Sequence, residues 1–329
     1  MSESHEVRKV VCAAYGPPEE LTVEAAPLPE PGAGQVRIAV RAAGVNYVDN
    51  LFVSGEYQIK IPPPFTPGGE VAGTVDVVGA GVEGWTVGAR VVASVGVGGW
   101  ASHVVVDARH LIAVPDRMSD GQAATFVQSY ATAWFSLTKR VTVHEGDHVL
   151  VLGAGGGLGL AFTDVATALG GRVIAAASSD DKLDAAEAVG AIARIDYEAE
   201  DLKTRARELS GGGVDLVVDP VGDRFADPAL RALGFDGTYL VLGFAAGEIP
   251  CLPANQILLR NRRVAGVDWG AWAMENPAEN RELLDELFDR VGRGSLHPSE
   301  PTTAPLDDVS NALRRLLDRQ ITGKLALIP

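Results

Sequence analysis

The stretch Val149–Gly159, VLVLGAGGGLG, carries the residue types best suited to chemistry in this sequence. A run of apolar residues without alternation suits a strand buried on both faces of a parallel sheet. The glycines after it leave the backbone bare, and LAFTDVATALG then places apolar residues at helical spacing. Strand, glycine turn and helix together form a phosphate cradle, because the free N–H groups at a helix N-terminus face an incoming diphosphate. The strict G-x-G-x-x-G spelling fails, since Leu158 stands where the third glycine belongs. Gly153, Gly156 and Gly159 supply an alternative spacing, with Gly155 and Gly157 between them. The expected cofactor contacts here are Gly155, Gly156, Gly157 and Leu158, and the expected ligand is a dinucleotide.

The tip of the next strand selects the dinucleotide. RVIAAA ends in Ser178-Ser179-Asp180-Asp181-Lys182. An NAD-preferring site places a carboxylate at that tip to hold the ribose 2′-hydroxyl. Here the tip is Ala177 and Ser178, with Lys182 one turn into the following helix. A hydroxyl and an ammonium suit a 2′-phosphate, so NADPH is the expected cofactor. The competing reading makes Ser179 an N-cap, the two aspartates first-turn acids and Lys182 a surface cation, and the two readings are compatible. A second chemical spelling, His144-Glu145-Gly146-Asp147-His148, matches H-E-x-x-H. That motif binds zinc only from a helix, where the two histidines share a face. With Gly146 inside it and a strand starting at Val149, a turn is expected and no metal.

The elements that position these groups fall into two patterns. Residues 7 to about 125 read as short β-branched runs separated by Gly/Pro turns, which suggests a compact barrel. Asp120–Lys139 reads as helical. From Val149, strands at 149–152, 172–177, 191–195, 214–218, 238–243 and 263–267 alternate with helices, the pattern of a doubly wound parallel sheet. Amphipathic helices are expected at Arg281–Arg290 and Leu306–Arg319, with a last strand at Lys324–Ile328. The net charge of −15 argues against nucleic-acid or anionic-membrane partners. No stretch approaches the roughly 18 apolar residues of a membrane helix, and the N-terminus shows no apolar leader. Two cysteines far apart, Cys12 and Cys251, suit a reducing, cytoplasmic setting.

Over nearly its whole length the sequence resembles the medium-chain dehydrogenase/reductase superfamily, in its zinc-independent quinone oxidoreductase and enoyl reductase branch. The matching segments are GVNYVDNLFVSGEY (44–57), PFTPGGEVAGTVDVVGAGV (64–82), the glycine turn, AAASSDDKLDAAEAVGA (175–191), DPVG (219–222) and ILLRNRRVAGVDWG (257–270). The resemblance implies an α/β chain of two parts. A GroES-like β-barrel catalytic domain covers 1–126 and is completed by 268–329. A Rossmann NADP-binding domain covers 127–267, with the active site in the cleft and homodimers formed by pairing the last Rossmann strand. Zinc-dependent members carry a cysteine in the segment matching 44–50 and a histidine before the Glu of G-H-E; here the segment is GVNYVDN and Gly69 precedes Glu70. The three protein ligands of a catalytic zinc are therefore not expected.

By matched position, the resemblance puts Asn46 near the nicotinamide and makes Tyr57 the proton donor, with Asp49 in a structural hydrogen bond to the backbone. Thr132, in a stretch expected to open a helix, faces the nicotinamide phosphate. Tyr197 and Arg319 lie at the 2′-phosphate with Lys182, and Gly243 and Phe244 end a strand at the carboxyl edge of the sheet. The expected activity is NADPH-dependent hydride transfer to a small electrophile, a quinone or an activated double bond. Negative charge then builds on the carbonyl oxygen, and a proton must reach carbon. A non-enzymatic crystallin-like or RNA-binding role is the alternative, disfavoured by the acidic charge and by the Asn46 and Tyr57 pair.

Overall fold

The computed structural model describes residues 6–329; residues 1–5, part of the expected leaderless N-terminus, lie outside that range. The chain forms two units. One runs up to Gln128 and resumes at Ser299–Pro329, and the other spans Ser129–Pro298.

In the first unit, the strand Gln35–Val45 is the organising element. Its first residues pair antiparallel with His103–Asp107 and its last ones with Leu325–Ile328. Glu70–Val78 pairs along it in antiparallel register, followed outward by Arg90–Ser94 and Leu111–Ala113. Thr302–Pro305 lies parallel to Leu325–Ile328. Val36, Ile38, Val71, Val75, Val91, Leu111, Leu325 and Leu327 fill the core between these strands. This is the GroES-like β-domain that the sequence leads one to expect. Two registers matter for the site: Val45 faces Leu325, and Ala43 faces Val71. They bring Lys324 and Glu70, each one residue further back, to Asn46 and Gly44.

The second unit is a six-stranded sheet in which every neighbouring pair is parallel. From edge to edge it runs Ala193–Asp196, Arg172–Ala177, His148–Leu152, Val214–Asp219, Leu233–Val241 and Arg263–Gly266. The chain thus reverses direction beside His148–Leu152, the switch point at which open α/β sheets bind ligands. Val149 to Leu152 are fully buried, as an unalternating apolar run requires.

Four expectations need correction. The chain returns to the first unit at Ser299, not at 268. The helix Pro277–Arg293 buries Leu283, Leu287, Phe288 and Val291, and its Arg290 guanidinium lies 4.4 Å from the ring of Trp134, within the second unit. His297 N–H then donates to Asp164 at 2.7 Å, holding the chain there for several more residues. The helix expected over 120–139 is interrupted: it forms Asp120–Ala124, breaks at Thr125, and restarts as Val127–Phe135 with a π-turn at Ser136–Arg140. Thr125 Oγ1 donates back to Gly121 O at 3.0 Å, a local bond that competes with helix propagation. Thr132 therefore sits inside a helix and does not open one. The strand expected over 238–243 runs Leu233–Val241, which leaves Gly243 and Phe244 in the loop after it.

Candidate functional site

The glycine turn forms as the spacing 153, 156, 159 implies. Gly153 takes a φ of +60°, open to glycine at little cost. Gly156 is the N-cap of the helix Gly157–Ala168, and no side chain caps that helix. The N–H groups of its first turn are thus left for a ligand. A Cβ on Gly159 would lie 2.3 Å from Gly153 O and 2.6 Å from Ala154 Cα, so this glycine lets the helix pack directly on the turn. A Cβ on Gly155 would lie 2.3 Å from Lys182 Cβ and 2.7 Å from its Cα. Gly155 is bare because the helix carrying Lys182 rests on it.

That contact fixes Lys182 beside the turn. Its ammonium donates to Ser178 Oγ at 3.2 Å, joining the two groups named for the 2′-phosphate. Ser179 takes the N-cap position of the helix Asp180–Ala188 but makes no capping bond with its side chain. Tyr197 follows the neighbouring strand; its N–H donates to Ala177 O at 3.2 Å and its ring packs on Phe225 with centroids 4.3 Å apart. Ser178, Lys182 and Tyr197 thus cluster at two adjacent strand tips. Nearby, the loop 219–222 is held by buried Asp219, whose carboxylate accepts from Val221 N at 2.7 Å, from Gly222 N at 2.8 Å and from the hydroxyl of Tyr239. Burial pushes the Asp219 carboxyl up, and these three hydrogen bonds pull it back. Gly243 and Phe244 lie against this loop: Ala245 N donates to Pro220 O at 3.1 Å, and a Cβ on Gly222 would lie 3.1 Å from the Phe244 ring.

In the first unit, Asn46 is held by groups from three parts of the chain. Its Nδ2 donates to Glu70 Oε1 at 2.9 Å, and Lys324 Nζ donates to its Oδ1. Lys324 Nζ also stands 3.6 Å from Glu70 Oε1, with Glu70 almost wholly buried. Glu70 Oε2 accepts from Gln128 N at 3.0 Å. Gly44 makes room, since a Cβ there would lie 2.7 Å from Glu70 Cγ. The amide orientation follows from this network: its oxygen meets a cation and its nitrogen meets a carboxylate. Nδ2 has a second hydrogen beyond the one given to Glu70. Asp49 Oδ2 accepts from Asn46 N at 2.7 Å, the backbone role expected of it. Burial lifts the Asp49 carboxyl to about 7, aided by Glu70 and opposed by the Asn46 N–H, Lys324 and the Gly69 N–H.

Tyr57 is not among the side-chain partners of Asn46. Half-buried, it packs on Phe52 with ring centroids 4.5 Å apart, and its N–H donates to Leu51 O at 2.9 Å. Arg319 follows the helix Val309–Leu317 in the first unit, exposed and at a φ of +58°. The H-E-x-x-H spelling is a turn, as expected: Gly146 has a φ of +89°, His144 N donates to Asp147 at 2.8 Å, and His148 opens the strand. Sequence reading missed Glu70 and Lys324 as site residues. Glu70 was visible inside the matched segment 64–82; Lys324 had no signal beyond its place at the start of the last strand.

Comparison with known proteins places this geometry among dehydrogenases. Residues 32–116 match the model of the alcohol dehydrogenase GroES-like domain, and residues 157–289 match that of the zinc-binding dehydrogenase. The chain is 36% identical over 324 residues to the quinone oxidoreductase-like protein 2 homolog of Nematostella vectensis, covering 97% of this chain and 88% of that one. It is 36% identical over 329 residues to quinone oxidoreductase-like protein 2 of Rattus norvegicus, covering 99% and 93%. Among solved structures, Escherichia coli quinone oxidoreductase complexed with NADPH superposes with a TM-score of 0.87 at 28% identity, covering 98% of this chain and all of that one.

Proposed function

Because the chain belongs to the medium-chain dehydrogenase/reductase superfamily, in its quinone oxidoreductase and enoyl reductase branch, and is an oxidoreductase of that family, we propose that it uses NADPH to reduce a quinone or an activated double bond without zinc. The observation that carries the reading is the joining of Ser178 and Lys182 beside a glycine turn whose helix N-terminus is uncapped. The turn and first helical N–H groups of 155–158 hold the diphosphate. Lys182, Ser178 and Tyr197 hold the 2′-phosphate; Arg319 is assigned to the same group by the family resemblance alone. Thr132, Gly243 and Phe244 line the nicotinamide half. When bound, the cofactor supplies hydride.

The chain's own residues handle the substrate. Asn46 has one N–H left after serving Glu70, a donor for a carbonyl oxygen on which charge develops. Lys324 at its Oδ1 draws electron density from the amide and strengthens that donor. Tyr57 delivers the proton to carbon. A zinc does not suit this donor set: Gly69 has no side chain, and the Lys324 ammonium already faces Glu70 and Asn46. The homodimer reading draws support from the sheet edge Arg263–Gly266, where Val264, Leu258 and Leu259 are exposed. Among the described residues no helix is long and apolar enough to cross a membrane.

The test is NADPH oxidation against a panel of quinones, enones and enoyl thioesters, before and after exhaustive chelation. Turnover with at least one class, unchanged by chelation, is expected. Dependence on one bound zinc per chain, or no turnover with any class, overturns the proposal.

A further inference from the structure

On a chain of net charge −15, one concavity of the second unit is lined by Lys203, Arg207, Arg231, Gln256, Arg260 and Arg262. Its volume is about 290 Å³, and no carboxylate lines it. It lies at the amino edge of the parallel sheet, where Leu233 and Arg263 open their strands and where Arg207 and Arg231 occupy the last turns of Leu202–Leu209 and Ala226–Ala232. The glycine turn follows the strand His148–Leu152 at the opposite, carboxyl edge. The cluster therefore has no part in holding the dinucleotide.

Helix C-termini attract cations, which accounts for Arg207 and Arg231 singly. It does not account for the group. Arg231 has an acid partner, Asp227 at 2.7 Å. Among the described residues, Lys203, Arg207, Arg260 and Arg262 have no ion pair. Arg262 is 7% exposed, its terminal nitrogens donating to the carbonyls of Gln256 at 3.1 Å, Arg231 at 3.3 Å and Leu233 at 2.9 Å. Its Nε is buried and has no acceptor. A buried cation that meets only carbonyls, with its Nε–H unpaired, keeps its charge uncompensated. Burial, and then the charges of Arg260, Arg207 and Arg231, push its pKa below the usual guanidinium range.

We propose that this concavity is a binding site for a small, multiply charged phosphate ligand, taken up by the guanidinium groups of Arg207 and Arg260 over the buried Arg262. Planar guanidinium forks match phosphate oxygens in pairs. Four unpaired cations call for several negative charges, and a diphosphate group supplies them within this volume. A single halide leaves most of the charge unmet, and a nucleic acid backbone is opposed by the chain's net charge of −15.

Calorimetric titration with inorganic pyrophosphate tests this, on wild type, Arg207→Gln, Arg260→Gln and Lys182→Ala, each with and without saturating NADPH. With NADPH saturating the glycine turn, one pyrophosphate per chain is expected, tighter than orthophosphate and weakened by added salt. Each arginine substitution lowers affinity about tenfold or more, the loss of one charge-assisted hydrogen bond. This NADPH-saturated binding is the same in Lys182→Ala as in wild type, and the two arginine variants keep wild-type NADPH affinity. Absence of binding at millimolar pyrophosphate with NADPH saturating, or full binding in Arg207→Gln and Arg260→Gln under that condition, overturns the proposal. So does a fall in oligomeric state of those variants without pyrophosphate binding, because acids of a second copy then meet these cations.

Discussion

Lys324 donates a hydrogen bond to the side-chain oxygen of Asn46 across 278 residues of sequence. The antiparallel pairing of Leu325 with Val45 makes the contact, and Glu70, bonded to the amide nitrogen, closes the network. Replacing the ammonium by an apolar chain of similar length leaves the buried Glu70 without its cation. Lys324→Met is expected to cost about 3–5 kcal/mol, the usual penalty for breaking a buried pair from one side. Glu70→Gln with Lys324→Met recovers part of the loss. Urea unfolding of the single and double variants checks this; equal losses for both overturn the assignment.

The 2′-phosphate site proposed at Lys182 and Ser178 predicts a preference between cofactors. Removing one cation from a 2′-phosphate costs about 1.5–3 kcal/mol, so Lys182→Ala lowers NADPH affinity about 10- to 100-fold. NADH affinity stays nearly the same. Fluorescence titration with both cofactors measures the difference, and equal losses place Lys182 outside the phosphate site.

Asp49 makes stability depend on pH in an unusual direction. Its folded carboxyl titrates near 7, against 3.8 for the ordinary group, chiefly because it is buried. Between those values the folded state binds more protons than the unfolded one, so stability falls as pH rises through the window. The slope is on the order of 1 kcal/mol per pH unit. Asp49→Asn removes it while keeping an oxygen for the Asn46 N–H. Thermal unfolding from pH 4 to 8 shows a flatter profile in the variant; parallel profiles refute the assignment.

Tyr57→Phe separates the two substrate classes. An enolate must gain a proton at carbon, whereas hydroquinone oxygens are protonated by water. General acid catalysis is worth about 10²–10⁴-fold, so enoyl turnover falls by that much and quinone turnover by far less. The ring contact with Phe52 persists, and NADPH affinity with it. Full enoyl turnover in the variant removes Tyr57 from the chemistry.

The parallel sheet was legible because its strands are local apolar runs: Arg172–Ala177 matches its expected bounds residue for residue. The turn at Gly155 and Gly156 and the helix start carrying Lys182 were legible for the same reason, each being local, whereas the packing of Lys182 on Gly155 joins two separate elements. What escaped depended on distance along the chain. Nothing near Lys324 announces Asn46, because their meeting follows from strand register. The attachment of Pro277–Arg293 to the second unit follows from which core its apolar face meets, and periodicity reports only that such a face exists. The helix break at Thr125 arises from a side-chain bond that composition does not show.

The strand Leu325–Ile328 lies between Thr302–Pro305 and Gln35–Val45, inside its sheet. On the ribosome the chain emerges from the other end. All six strands of the parallel sheet are made before this one, and the sheet can close while the earlier β-strands still lack their neighbour. The residues around Asn46 are synthesised before the parallel sheet, and their charge partner Lys324 after it. The parallel sheet can therefore assemble before the first unit is complete, and the network around Asn46 closes only after it.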